Sequence, residues 1–150
     1  MTETKFQTKP DYTHILVGVD RADDAQLAFA YAVKRAIQDN AKLTITSVLE
    51  DDELNVYEAL SKTHLEHARQ ELVQQVKQYV KQARDAGVAR VESLIGEGDP
   101  DDVILKEIIP TVQPDLVIIG AETRKGLTRH FGSNAASIAK YAPVSVLIVR

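Results

Sequence analysis

Cysteine is missing from all 150 residues, which excludes a disulfide framework, a thiolate metal site and a cysteine nucleophile. The absence fits a reducing compartment, and a cytoplasmic location is expected. Positive charge is not in excess either. The formal net charge of -4 argues against a nucleic-acid binder, which needs a basic face to meet phosphates. The first residues, Met1 to Asp11, are polar and have no apolar core, so they read as neither a secretory signal nor a membrane span. Residues 1–12 are expected to form a flexible leader, and residues 13–150 a single folded domain with no linker or internal repeat. No Walker A loop, G-x-x-x-x-G-K-[ST], is present, so vigorous phosphoryl transfer is not expected, and at most slow hydrolysis is left. The surroundings of Ser133 are not a G-x-S-x-G elbow, and no base accompanies it.

What is present is a globular composition, with 44% hydrophobic and 27% charged residues. The run from His14 to Asp20 carries Ile15, Leu16, Val17 and Val19, as a strand buried on both faces would. Ala25, Ala28, Phe29, Ala32, Val33, Ala36 and Ile37 recur at helical spacing, with Asp23 or Asp24 as a cap and an end at Asp39 and Asn40. A second apolar run covers Leu43 to Leu49, and an acidic break follows from Glu50 to Glu53. The longest helical pattern begins near Leu54 and runs to Ala86, where Gly87 supplies a stop. Val88 to Ile95 is expected as a less apolar edge strand, turning at Gly96, Glu97 and Gly98. Asp99 then caps a helix with Pro100 in its first turn, and Pro110 and Pro114 end it. Leu116 to Gly120, a helix around Ala135 to Ala139, and Val144 to Val149 complete the alternation. Strands separated by helices throughout imply crossovers, a parallel sheet, and helices on both of its faces.

The chemistry concentrates between Gly120 and Ser133. The chain there leaves an apolar strand, passes Gly120, Gly126 and Gly132, and enters a helix at Ser133. Such a turn exposes backbone N–H groups and a positive helix end to an anion, and Arg124, Lys125 and Arg129 add charge of the right sign for phosphate. A plain solvated connection is the alternative. Ligands of open parallel sheets sit at the carboxyl ends of the strands, where the order reverses. With the first and fourth strands as central neighbours, Asp20 and the Gly120 loop face one crevice.

Over Thr13 to Arg150 the chain resembles the universal stress protein family. The resemblance rests on Ile15-Leu16-Val17-Gly18-Val19-Asp20, Gly98-Asp99-Pro100, Pro114-Asp115-Leu116-Val117-Ile118-Ile119-Gly120, Gly132-Ser133, and the closing Ala142-Pro143-Val144-Ser145-Val146-Leu147-Ile148-Val149. It implies an α/β fold: an open five-stranded parallel sheet, order 3-2-1-4-5, with helices on both faces, of the adenine nucleotide alpha hydrolase-like or Rossmann-like kind. Members that bind ATP carry G-x2-G-x9-G-[ST] after the fourth strand. Here Gly120 matches the first glycine and Gly132 with Ser133 the last pair, but Thr123 replaces the second glycine and the loop is one position short.

The resemblance implies ATP or ADP with magnesium. Phosphates would rest on Gly120, the loop amides with Ala121 and Thr123 among the binding residues, and Gly132, Ser133 and Asn134, and the charge of Arg124, Lys125 or Arg129 would replace part of the lost amide contacts. The adenosine end would lie against Gly18, Val19, Asp20 and Val48. It also implies a stress-response or regulatory role and a homodimer through Val144 to Val149. The alternative is a member that binds no nucleotide and acts as a dimeric interaction module. Elsewhere, His64 and His67 lack a third ligand and read as solvated helix residues. Glu50 to Glu53, and Asp99, Asp101 and Asp102, read as acidic helix starts rather than metal sites.

Overall fold

A computed structural model describes residues 11–20, 23–50, 62–121 and 133–150. Strand β1 (His14–Gly18) leads through helix α1 (Asp23–Asp39) to β2 (Lys42–Glu50), and helix α2 (Lys62–Ala86) leads to β3 (Val91–Gly98). A helical segment, α3, follows in three contiguous pieces: Pro100–Val103, a widened π-type turn over Ile104–Ile108, and Ile109–Val112. Then come β4 (Leu116–Gly120), helix α4 (Ser133–Tyr141) and β5 (Ser145–Val149). The five strands form one sheet in the order β3-β2-β1-β4-β5, and every pairing is parallel.

The sheet separates two apolar layers. On one face Ile15, Val17, Leu43 and Ile45 pack under Ala28, Phe29, Ala32 and Val33 of α1 and Val76 and Ala83 of α2. On the other, Leu16, Val117 and Ile119 meet Val103, Ile104, Ile108 and Ile109 of α3 and Ala135 and Ile138 of α4. Ile15, Leu16 and Val17 are each 0% exposed, which explains why β1 shows a continuous apolar run instead of an alternation. Each such side chain contributes roughly 1.5–3 kcal/mol of burial.

Helices α1 and α2 end alike. Asn40 (φ 51) and Gly87 (φ 116) turn left-handed, and the following N–H reaches back to close the last turn, Ala41 to Ala36 O at 2.9 Å and Val88 to Ala83 O at 3.1 Å. α1 begins at Asp23, but capping by the Asp23 or Asp24 side chain lies outside the described residues, as do the 1–10 leader and the acidic break from Asp51 onward.

Several expectations need correcting. β1 stops at Gly18, with one further bond from Val19 N–H to Thr46 O (2.9 Å), which leaves Asp20 beyond the strand. The third strand covers Val91–Gly98, not Val88 to Ile95, and Gly96 and Gly98 lie inside it. Val88 is taken by the helix-end bond. Gly96 has a packing reason: a Cβ there would lie 2.5 Å from Val103 Cγ1, so α3 can rest on β3 only where the strand has no side chain. Asp99 makes no side-chain cap; the Asp101 carboxylate instead accepts the Asp102 N–H at 2.9 Å. Pro110 does not end its helix. The widened turn before it interrupts the α-helical ladder, so the ring sits as at a helix start, where its missing N–H costs nothing. The segment stops at Gln113, left-handed with φ 54, just before Pro114.

Candidate functional site

β1 and β4 lie side by side, and from them the chain departs to opposite faces, to α1 on one side and to α4 on the other. The carboxyl ends of two such strands cannot both be covered by their own connections, and a crevice opens between them. In this protein it is a cleft with about 590 Å³ of free space, solvent mouth included. Gly18, Val19 and Asp20 from the end of β1, Val48 from β2, Gly120 from β4 and Asn134 from α4 all line it. Six of the residues singled out from sequence are thereby brought together.

The others divide. Ala121 is buried and its N–H donates to Val149 O at 3.0 Å, which prolongs the β4–β5 pairing. Ser133 opens α4 by its backbone. Thr123, Arg124, Lys125, Arg129 and Gly132 lie outside the described residues.

Three features give the cleft its chemistry. One wall is apolar, made by Val48, Ile104, Ile119, Ala135 and Ile138, and suits a flat ring. The first turn of α4 borders it through Asn134 and Ala135, so the positive end of a nine-residue helix lies at the cleft, an arrangement that favours an anion. Two carboxylates, Asp20 and Glu50, are the acidic groups among its described lining. The negative charge of Asp20 is felt by Tyr79 of α2. Burial, seconded by that charge, holds the phenol above its ordinary pKa of 10.0.

Sequence reasoning passed over Thr46, Ser47, Pro100, Ile104 and Glu50 as lining residues. One signal was available: β2 carries Thr44, Thr46 and Ser47 in an otherwise apolar strand, all at most 5% exposed. Buried hydroxyls need partners. Thr44 Oγ1 meets His14 Nε2 at 2.7 Å, and Thr46 Oγ1 donates to Leu94 O at 2.7 Å.

The acidic trio Asp99, Asp101 and Asp102 brings its oxygens within 4.8 Å of one another, yet serves the start of α3. Burial would raise the Asp101 pKa, but a bond from the Ser137 hydroxyl, a proton shared with Asp99 and the Asp102 backbone N–H outweigh it and hold it below 3.8. Lys106 also lies 3.2 Å from Asp102. His67 pairs with Glu71 at 3.1 Å on an exposed face of α2. Among the described residues no helix is long and apolar enough to cross a membrane.

The sequence model of the universal stress protein family matches residues 11–150. The chain belongs to the universal stress protein family. A putative universal stress protein of Staphylococcus aureus (strain USA300) is 32% identical to it over 140 residues, 93% of this chain and 84% of that one. Among solved structures, the universal stress protein UspA from Lactobacillus plantarum superposes with a TM-score of 0.76 at 27% identity, covering 95% of this chain and 100% of its own. A universal stress protein solved in complex with cAMP gives a TM-score of 0.66 at 25% identity, over 93% of this chain and 98% of its own. The five-stranded order 3-2-1-4-5 is thus a family architecture, and adenine nucleotide binding occurs among its relatives.

Proposed function

We propose that this universal stress protein binds an adenine nucleotide, ATP or ADP, at the carboxyl edge of its sheet and acts in the cytoplasm in a stress-response or regulatory role. The observation that carries the reading is one cleft in which the glycine ends of β1 and β4 meet the first turn of α4 and an apolar wall. Gly18 and Gly120 allow close backbone approach, the α4 amides favour phosphate, and Val48 with the isoleucines offers a slot for the base. The cAMP complex of a relative supports the ligand class. Magnesium fits this cleft as a companion of the phosphates. It keeps most of its ligands as phosphate and water oxygens, and Asp20 or Glu50 would supply the protein carboxylate. Titration calorimetry with ATP, ADP and AMP tests the reading. Measurable heat with any of them is expected, and neither heat nor a thermal shift at millimolar ligand would overturn it.

The protein is further proposed to work as a homodimer through β5. Among the described residues β5 has a single strand neighbour, β4, and Val146, Leu147, Ile148 and Val149 are each only half-buried. An apolar edge of this kind invites pairing, and an antiparallel partner strand satisfies a two-fold axis. Replacing Val146 and Ile148 with lysine should give folded monomers by light scattering. A wild type that is already monomeric at tens of micromolar would sink the proposal.

A further inference from the structure

Ser47 stands apart from the other two buried hydroxyls of β2. It is 5% exposed and lines the cleft, but its hydroxyl hydrogen-bonds to no described residue, whereas Thr44 and Thr46 are both satisfied. No side-chain oxygen or nitrogen sealed from solvent lacks a partner among the described residues, so the Ser47 hydroxyl is not sealed from solvent, and Ser47 is among the residues that line the cleft. Alternation along β2 fixes its side. Leu43 and Ile45 pack in the layer under α1 and α2, Val48 packs in the opposite layer, and Ser47 therefore shares the α1 side with Ala25 at the cleft margin. Asp20, just past the end of the neighbouring strand, lines the same cleft.

Any nucleotide in the cleft is divided by these positions. The anion site lies by β4 and α4, and the apolar wall for the base lies on the α3 and α4 side. Adjacent strands are about 4.8 Å apart, so the β1–β2 rim is roughly 5–10 Å from the phosphate position, the reach of a sugar. A carboxylate and a hydroxyl with no described partner, lining one cleft from adjacent strand ends, match the hydroxyls of ribose. We propose that Ser47 is a specificity-determining residue that hydrogen-bonds the ribose 2′-hydroxyl beside Asp20, making the cleft selective for ribonucleotides over 2′-deoxyribonucleotides. The inference rests on the nucleotide reading above. A site built to bond a substrate hydroxyl penalises the analogue lacking it, because the protein group is then left buried and unpaired.

The test measures calorimetric affinities of wild type, Ser47→Ala and Ser47→Cys for ATP, 2′-deoxy-ATP and inorganic tripolyphosphate. Wild type should prefer ATP over the deoxy form by about three- to tenfold, the range one neutral hydrogen bond supplies. Ser47→Ala should fall to near parity by losing ATP affinity alone, and tripolyphosphate, which has no sugar, should bind all three proteins equally. Ser47→Ala should also melt within a degree or two of wild type, since no internal bond is lost; a drop of many degrees would show a structural hydroxyl and overturn the assignment. Equal wild-type affinity for the two nucleotides, or an undiminished preference in both variants, would overturn it while leaving the nucleotide reading intact. A wild type that binds neither nucleotide would overturn both.

Discussion

The two ends of the same parallel sheet are built on opposite plans. At the amino end the protein bonds to itself: Asp115, just before β4, accepts the N–H groups of Thr13 and His14, each at 2.9 Å, and the Thr13 hydroxyl at 3.2 Å. His14 meets Thr44, Lys42 pairs with Glu92, and Arg90 donates to Asn40 O at 3.2 Å. At the carboxyl end β1, β3 and β4 stop at glycine, one helix offers its first turn, and a buried serine hydroxyl has no described partner. A parallel sheet needs both arrangements, because its strand starts can be tied by short local bonds while its ends must release the chain into crossovers. Polar groups at the amino end therefore contribute stability, whereas several at the carboxyl end border the cleft.

Substitutions at each end can break this contrast. Gly18→Val should have the largest effect and abolish nucleotide binding, at least about 100-fold by calorimetry, because its side chain would occupy the space an approaching ligand needs. The fold should tolerate it: Gly18 has no positive φ, and an added Cβ meets Ile119 Cγ2 at 3.4 Å, the margin of ordinary contact. Unfolding of Gly18→Val would erase the distinction between the two ends. Asp115→Ala should act inversely, costing about 2 kcal/mol in denaturant unfolding with the nucleotide affinity of the folded protein unchanged. Thr44→Val should cost about 1 kcal/mol by removing the partner of the His14 ring, again without an effect on binding.

Acid sharpens the contrast further, and its effect near neutrality is the smallest. Burial foremost, then Lys42 and Arg90, hold His14 below 6.5 against the opposing pull of Asp115. The folded state thus prefers the neutral ring, so its contribution is complete above pH 6.5 and fades as the pH falls below that value. Burial would raise Asp115, but the Thr13 and His14 donors outweigh it and hold it below 3.8, so its contribution is present above that value and is lost as the pH falls through the lowered pKa. Melting temperatures should show a shallow loss starting below pH 6.5 and a steeper one below 3.8. Asp115→Asn should shrink the second step and leave the first, with Asp101 contributing what remains; a second step of full size in that variant would assign it to other carboxylates.

Periodicity was enough for the strands and helices whose residues are buried, because burial on both faces leaves an uninterrupted apolar run, as in Ile15, Leu16 and Val17, and burial on one helical face leaves the spacing of Ala25, Ala28, Phe29 and Ala32. It misled where a residue's role depended on a distant partner. Gly96 reads as a turn until Val103 is seen against it, and Pro110 reads as a stop until the widened turn preceding it is seen. The site divided in the same way. Gly18, Val19, Asp20 and Gly120 were legible because strand-to-glycine junctions have a local cause, whereas Thr46 and Ser47 were not, because which hydroxyl is satisfied depends on β3, 48 residues away in the case of Thr46 and Leu94.

By itself, then, the sequence determined the alternation of strands and helices, the parallel class that follows from it, and the glycine junctions. These depend on hydrophobic spacing and backbone freedom, which act over a few residues. The tertiary structure decided which strand ends meet in one cleft, that Asp115 ties β4 to the start of β1 across 101 residues, and that Ser47, which lines the cleft, is the one of three neighbouring hydroxyls without a described partner. Those outcomes depend on strand order and register, which only the packing of the whole sheet between its two helical layers can set.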